Sequence, residues 1–443
     1  MDTNPESSAI RKVAARILPF LFILYLSAFI DRVNVGFAAV NFRQDLHFSN
    51  AAYGFGAGMF FIGYFLFEIP SNLVLERAGA RKWIARIMLT WAVISASMMF
   101  VRTIHQFYLC RFMLGVAEAG FFPGMILYLT YWFPAAHRAR AISKFMLASP
   151  LASVIGSPLS LAIMKYLPAY AHSALTGYST LANLKGWQWL FCIEAIPSFV
   201  LGFVVYFYLT DKPEQAHWLT QDEKTALMAV LTQEKALTES KHSLNLWQAF
   251  THPRVLLLTA LYFSMNVGNY GLDFWLPIIM KGFTTIDTSK PNIYSMLPYI
   301  AAAIGMVLIG SSSDKRNERS LHIFIPCLVS SIAMLGFAWF QGKSPIGGLI
   351  CITVAAVGPR AILGPFWTLP PAFLSGTAMA GAIAFINAVG NLGGLCGPWA
   401  LGVLKDNTGS YVPGIVMLSA GILGAGIFGL LARKPVESNM EPA

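Results

Sequence analysis

The sequence predicts an all-α membrane protein of twelve transmembrane helices, arranged as two related six-helix halves. Three observations carry this. Residues of the set AVILMFWYC make up 56% of the chain and charged residues 12%, about half the charge of a soluble domain, so the outer surface must face lipid. The polar residues are gathered into short stretches between apolar runs of roughly 20 residues that do not alternate. In lipid such runs must satisfy their own backbone, which makes them helices rather than barrel strands. Finally, one acid–base loop recurs at the same place in each half.

Taken in order, residues 1–16 form a polar tail ending in Arg11, Lys12 and Arg16. The apolar run that follows continues past Asp31-Arg32 to Val40, too long for the core of a signal peptide, so it is the first span. The twelve spans are 17–40, 51–75, 83–101, 106–130, 141–164 and 187–209, then 255–280, 292–313, 321–340, 346–370, 377–403 and 411–432. The N-terminal half is therefore 17–209 and the C-terminal half 255–432. Residues 210–254 form the one long polar stretch, a linker in which Thr220 and Glu223 make a capping box at the start of an amphipathic surface helix. Residues 433–443 form a second polar tail.

Charge sets the expected orientation. With the N-terminus in the cytoplasm, 20 Lys and Arg residues fall on cytoplasmic segments and 8 on the opposite face. This puts both termini inside. The net charge of +10 is explained by these loops; no basic patch carries the aromatic interleaving of a nucleic-acid surface. No N-x-S/T sequon occurs, which fits a bacterial inner-membrane protein. Cys110, Cys192, Cys327, Cys351 and Cys396 all lie in apolar segments and form no CxxC, so they are small core residues rather than metal ligands or disulfides. The chain also lacks HExxH and Walker-type motifs and any soluble domain to host chemistry. It is expected to be no enzyme, to need no metal or cofactor beyond a proton as coupling ion, and to act as a monomer.

The repeat is specific. The loop after span 2 contains Glu76-Arg77-Ala78-Gly79-Ala80-Arg81, and the loop after span 8 contains Gly310 and Asp314-Lys315-Arg316-Asn317-Glu318-Arg319. Each places an acid, a base directly after it, and an Arg five residues past the acid. Duplicated halves are a mark of secondary transporters. The two loops resemble the signature loop of the major facilitator superfamily, G-x-x-x-D-R-x-G-R-R, with Asn72 and Glu76 as departures in the first copy. Further segments resemble the anion:cation symporter family within it: Asp31-Arg32-Val33-Asn34-Val35-Gly36, Glu68-Ile69-Pro70, Gly115-Val116-Ala117-Glu118-Ala119-Gly120, Gly186-Trp187-Gln188-Trp189, Pro365-Phe366-Trp367 and Gly390-Asn391-Leu392-Gly393-Gly394. The resemblance covers essentially the whole chain. It implies the major facilitator fold and a substrate such as a hydroxy-carboxylate, sugar acid or aromatic carboxylate.

Eight ionisable residues fall within spans: Asp31, Arg32, Glu68, Arg111, Glu118, Glu194, Asp273 and Arg360. Each costs roughly 2.5–3.5 kcal/mol at a helix centre, so they must face a cavity or one another. Arg111 and Glu118 are seven residues apart, on one face of span 4 and about 10 Å apart along the axis. Both are available to span 1, where adjacent Asp31 and Arg32 point to different partners. Crossed pairs are expected, Asp31 with Arg111 and Arg32 with Glu118. They either lock spans 1 and 4 together or form a working site, in which a substrate carboxylate displaces an acid from an Arg and the displaced acid takes up a proton. The resemblance implies the second reading, with Asp31 and Glu118 carrying the proton and Arg32 and Arg111 binding the anion. All eight histidines lie in loops or at span ends, His322 at the start of span 9, which leaves coupling to carboxylates.

In the second half, Asn266, Tyr270 and Asp273 form one stripe on span 7, and Asn387 and Asn391 share a face of span 11; Asn266, Tyr270, Asn387 and Asn391 are expected to line the substrate path. Arg360 in span 10 is either a second carboxylate anchor or a structural partner. Glu68 and Glu194 are expected to be structural, and Trp187 and Trp189 to form an interfacial belt. The leading expectation is a proton-coupled organic-anion symporter working by alternating access around a central site; an organic-anion exchanger or uniporter with the same arginines is the alternative.

Overall fold

The computed structural model describes residues 4–174, 183–239, 246–283, 293–374 and 376–432. The expected tail at 433–443 lies outside the described residues. Among the described residues there is no strand. The helices of the first half are α1 (Pro5–Asp45), α2 (Asn50–Ala78), α3 (Ala80–Ser97), α4 (Ile104–Glu118), α5 (Phe121–Trp132), α6 (Ala135–Met146), α7 (Ala148–Ala174) and α8 (Gly186–Tyr208). The linker holds α9 (Gln221–Glu239) and the short α10 (Leu246–Thr251). The second half holds α11 (Pro253–Phe283), α12 (Ile293–Arg316), α13 (Ser320–Phe340), α14 (Pro345–Ala355), α15 (Val357–Ala361), α16 (Leu363–Trp367), α17 (Gly376–Asn391), α18 (Gly393–Thr408) and α19 (Val412–Leu431).

Among the described residues, eleven stretches are long and apolar enough to cross a membrane as they stand. The twelfth span is α17 with α18, two pieces of 16 residues each on either side of Leu392. The expected span 11 is thus present but interrupted at Leu392, which is why neither piece is long enough by itself. Span 4 divides into α4 and α5, and span 10 into α14, α15 and α16.

The chain forms two compact units, Met1–Ala38 with Ile62–His242, and Ala39–Phe61 with Ser243–Ala443. In the first, α3 and α7 pack along α8. The tail before span 1 is helical from Pro5, because Ala9 and Val13 are fully buried and Ser8 and Lys12 bond Glu223 of the linker. The capping box forms as expected: Thr220 N donates to Glu223 Oε2 at 2.9 Å and Glu223 N to Thr220 Oγ1 at 3.3 Å.

In the second unit, α11 packs against α17, α18 and α19, and α13 against α19. The span-11 glycines permit this: a Cβ on Gly393 would lie 2.2 Å from Phe263 O, and one on Gly397 2.1 Å from Val267 O. The end of α1 and the start of α2 belong to this unit. Tyr53 donates to Phe274 O at 2.9 Å, and the Asp406 carboxylate accepts from Asn50 N and Ala51 N at 3.2 and 2.7 Å, capping α2. The five cysteines are free. Trp187 departs from the expected belt: it is buried, packed edge-on against Phe191.

Candidate functional site

Both copies of the signature loop turn on one residue with positive φ, three after the acid: Gly79 at φ 88° and Asn317 at φ 48°. Asn is the side chain that best tolerates this region after Gly, so Asn317 serves where Gly79 stands in the first copy. The acids and arginines then differ. Asp314 pairs with Arg319 at 2.6 Å within its own loop, and Arg319 also donates to Ser313 Oγ. Arg81 instead meets Asp211, at the head of the linker, whose carboxylate accepts from Arg81 N at 2.8 Å. Glu76 and Arg77 lie in the last turn of α2. Gly310 lies in α12, with nothing within 4 Å of an added Cβ.

In the first unit, Arg32 of α1 and Glu118 at the end of α4 form a buried ion pair of 2.5 Å. The Arg32 guanidinium lies over the rings of Phe29 and Tyr64, at 5.4 and 5.6 Å, where cation–π attraction supports a charge shielded from water. Arg111 is buried and acts electrostatically on Glu118. Span 4 breaks directly after Glu118: Ala119 is extended, and Gly120 takes φ 83° before α5 begins. Pro123 contributes, because it has no N–H to give a continuous helix.

Asp31 does not pair with Arg111, the partner expected from sequence. Its carboxylate accepts from Trp91 Nε1 at 3.0 Å, Ser95 Oγ at 3.4 Å and Ser198 Oγ at 2.5 Å. All three donors are neutral. The reason lies in α1 itself: adjacent residues on a helix point about 100° apart, so with Arg32 on Glu118, Asp31 faces α3 and α8. Ser198 also contacts Ser27, one turn before Asp31, and Glu194, one turn before Ser198, accepts from Ser160 at 2.6 Å. The serines and Trp91 were missed at the sequence level. Their only signal was the four-residue spacing of Ser27 to Asp31 and of Glu194 to Ser198.

In the second unit, Arg360 donates to Asp273 Oδ1 at 2.5 Å, and both side chains are buried. Tyr299 places its ring 5.5 Å from the same guanidinium, and Tyr270 also acts on it. Asp273 Oδ2 is buried without a hydrogen-bond partner. Arg360 therefore does not snorkel to an interface. Asn266 Nδ2 reaches Gly390 O at 3.2 Å and Asn391 Oδ1 at 3.4 Å, joining α11 to the end of α17. Asn387 is buried one turn earlier.

The profile of the Major Facilitator Superfamily matches residues 21–398. The chain belongs to the major facilitator superfamily. A putative tartrate transporter of Agrobacterium vitis is 43% identical over 99% of this chain and 98% of its own length. A putative metabolite transport protein, NicT, of Pseudomonas putida is 42% identical over 90% of this chain and 88% of its own. A crystal structure of a bacterial homolog to the human lysosomal transporter Spinster shares the fold, with a TM-score of 0.71 at 17% identity over 95% of each chain. This member of the superfamily is a multi-pass membrane transporter, not an enzyme.

Proposed function

We propose that this transporter carries a small organic anion, a hydroxy-carboxylate, sugar acid or aromatic carboxylate, together with a proton, by alternating access. The observation that carries the reading is the buried Arg32–Glu118 pair beside Asp31, a carboxylate held only by neutral donors. A substrate carboxylate that takes Arg32 and shares the charge of Arg111 leaves Glu118 without its ion-pair partner, and a buried carboxylate in that position is neutralised by a proton. Binding of anion and proton is thereby linked through one guanidinium. Arg32 and Arg111 bind the anion; Asp31 and Glu118 carry the proton. In the second unit Arg360 is a further carboxylate anchor, released from Asp273, while Asn266, Tyr270, Asn387 and Asn391 supply neutral hydrogen-bonding groups. The similarity to putative tartrate transporters supports the substrate class. The excess of Lys and Arg on alternate loops supports cytoplasmic termini in a bacterial inner membrane.

The test is uptake of radiolabelled tartrate into proteoliposomes with an acidic exterior. Symport predicts accumulation that a protonophore abolishes. Uptake that reaches only equilibrium, or that ignores the protonophore, removes proton coupling from the reading.

A further inference from the structure

A cavity of about 340 Å³ lies in the first unit between the start of α1 and α6, away from the buried charge pairs. Arg11 enters it from α1, and His137, Arg140 and Lys144 from α6; Glu6 is the one acid in its wall. Neighbouring bases on the same two helices are already matched. Lys12 pairs with Glu223 at 2.8 Å and Arg138 with Glu234 at 3.5 Å, both acids on α9. Arg11, Arg140 and Lys144 are exposed, show no acidic partner among the described residues and line the cavity instead. Leaving His137 aside, the wall carries two positive charges in excess. Like charges facing one another across a concavity repel, unless an anion lies between them.

The rest of the wall narrows the anion. Ile10, Ala14, Leu18, Phe133 and Ala141 make an apolar floor, and Leu18 and Phe133 are buried at the point where span 1 enters its apolar run. The basic rim therefore stands at the level of the membrane interface, above a greasy wall. Two guanidinium groups present paired donors that match phosphate oxygens. We propose that this cavity is a binding site for a phosphate-bearing anion, filled by the headgroup of an anionic phospholipid whose acyl chain lies against the apolar floor. Basic pockets between transmembrane helices are suited to such headgroups. The inference is independent of what the transporter carries.

Native mass spectrometry of the purified, delipidated protein tests it, with phosphatidylglycerol, cardiolipin or phosphatidylcholine added back, and inorganic phosphate in a separate arm. The anionic lipids are expected to bind about tenfold or more better than phosphatidylcholine. The Arg11→Gln/Arg140→Gln/Lys144→Gln variant is expected to lose that preference, and Arg11→Lys/Arg140→Lys to keep most of it. Inorganic phosphate that binds the cavity where the lipids do not would keep the anion site and assign it to a free phosphorylated solute. Equal binding of phosphatidylcholine and phosphatidylglycerol with no phosphate binding, or an unchanged preference in the triple Gln variant, overturns the proposal. The comparison of lipids on the unaltered protein decides the matter even if the triple variant does not fold.

Discussion

At the scale of single residues, the two acids assigned to proton coupling differ in what holds them. Glu118 has a cation at 2.5 Å. Asp31 has an indole N–H and two hydroxyls. Asp31→Asn is nearly isosteric and can keep bonds to Ser95 and Ser198, but it cannot exchange a proton. It is expected to leave tartrate counterflow within about twofold of normal. It should abolish accumulation driven by an acid exterior, where a one-unit gradient supports about a tenfold ratio for one proton. Normal accumulation in the variant would remove Asp31 from the coupling path. For Arg360 the prediction is selective: Arg360→Gln should reduce dicarboxylate uptake by about tenfold or more, the worth of one charged contact, and spare a monocarboxylate. Equal transport of both by the variant would make the Asp273 pair purely structural.

Much of this was legible in the sequence. Charges are so expensive within a span that the eight buried ones stand out by type alone, and the Arg32–Glu118 pair followed from spacing on two helices. The environment of Asp31 did not, because serine is unremarkable in an apolar run and its partner is chosen by packing. A carboxylate satisfied by Trp91 and Ser198 leaves Arg111 to act on Glu118, which spacing alone could not reveal.

At the scale of elements, three of the assigned residues sit where helices break, while Asp31, Arg32, Arg111, Asn266 and Tyr270 lie within continuous helices. Glu118 ends α4, Arg360 lies on the five-residue α15, and Asn391 ends α17 just before the interruption at Leu392. At Ala119 and Gly120 the backbone leaves the helical region, and such backbone at membrane depth is tolerated only where it is enclosed in protein or lines a cavity; discontinuous helices are typical of transporter sites. Hydropathy averages over about 20 residues and passes across such breaks, so they were invisible as span boundaries. The residues that make them, Gly120 with Pro123, Gly358 with Pro359, and Gly364 with Pro365, were in plain view. Gly120 is the most constrained. It has φ 83°, and an added Cβ would lie 2.4 Å from Ser71 Oγ. Gly120→Ala is expected to cost about 1–2 kcal/mol for the backbone conformation alone, read as a lower melting temperature in detergent. Ser71→Gly in the same chain should recover the steric part and leave the backbone part. Full recovery would mean that strain at Gly120 is negligible.

At the scale of the whole molecule, the linker is not a loose tether. Helix α9 is fastened to the first unit through Glu223, which accepts from Ser8 at 2.7 Å and from Lys12 at 2.9 Å besides closing its own capping box. Arg16 adds cation–π contacts to Tyr208 and Trp218, and Trp218 stacks on Trp132 at 5.4 Å. Desolvation pushes the Glu223 carboxyl up, but the hydrogen bonds from Lys12, Thr220 and Ser8 and the charge of Lys12 outweigh it and hold the group at about 2, against an ordinary 4.5. A folded value below the unfolded one stabilises the clamp at any pH above about 4.5, and that contribution is lost as pH falls towards 2. Hydrogen exchange at 221–239 and at 5–16 should therefore be slow and nearly constant from neutral pH down to about 4.5, once corrected for the intrinsic pH dependence of exchange, and should accelerate in both segments together below it. Glu223→Gln should show the faster exchange already at neutral pH and no further acid step. If the two segments lose protection at different pH, or if Glu223→Gln matches the unaltered protein at neutral pH, then Glu223 is not what fastens the linker to the first helix.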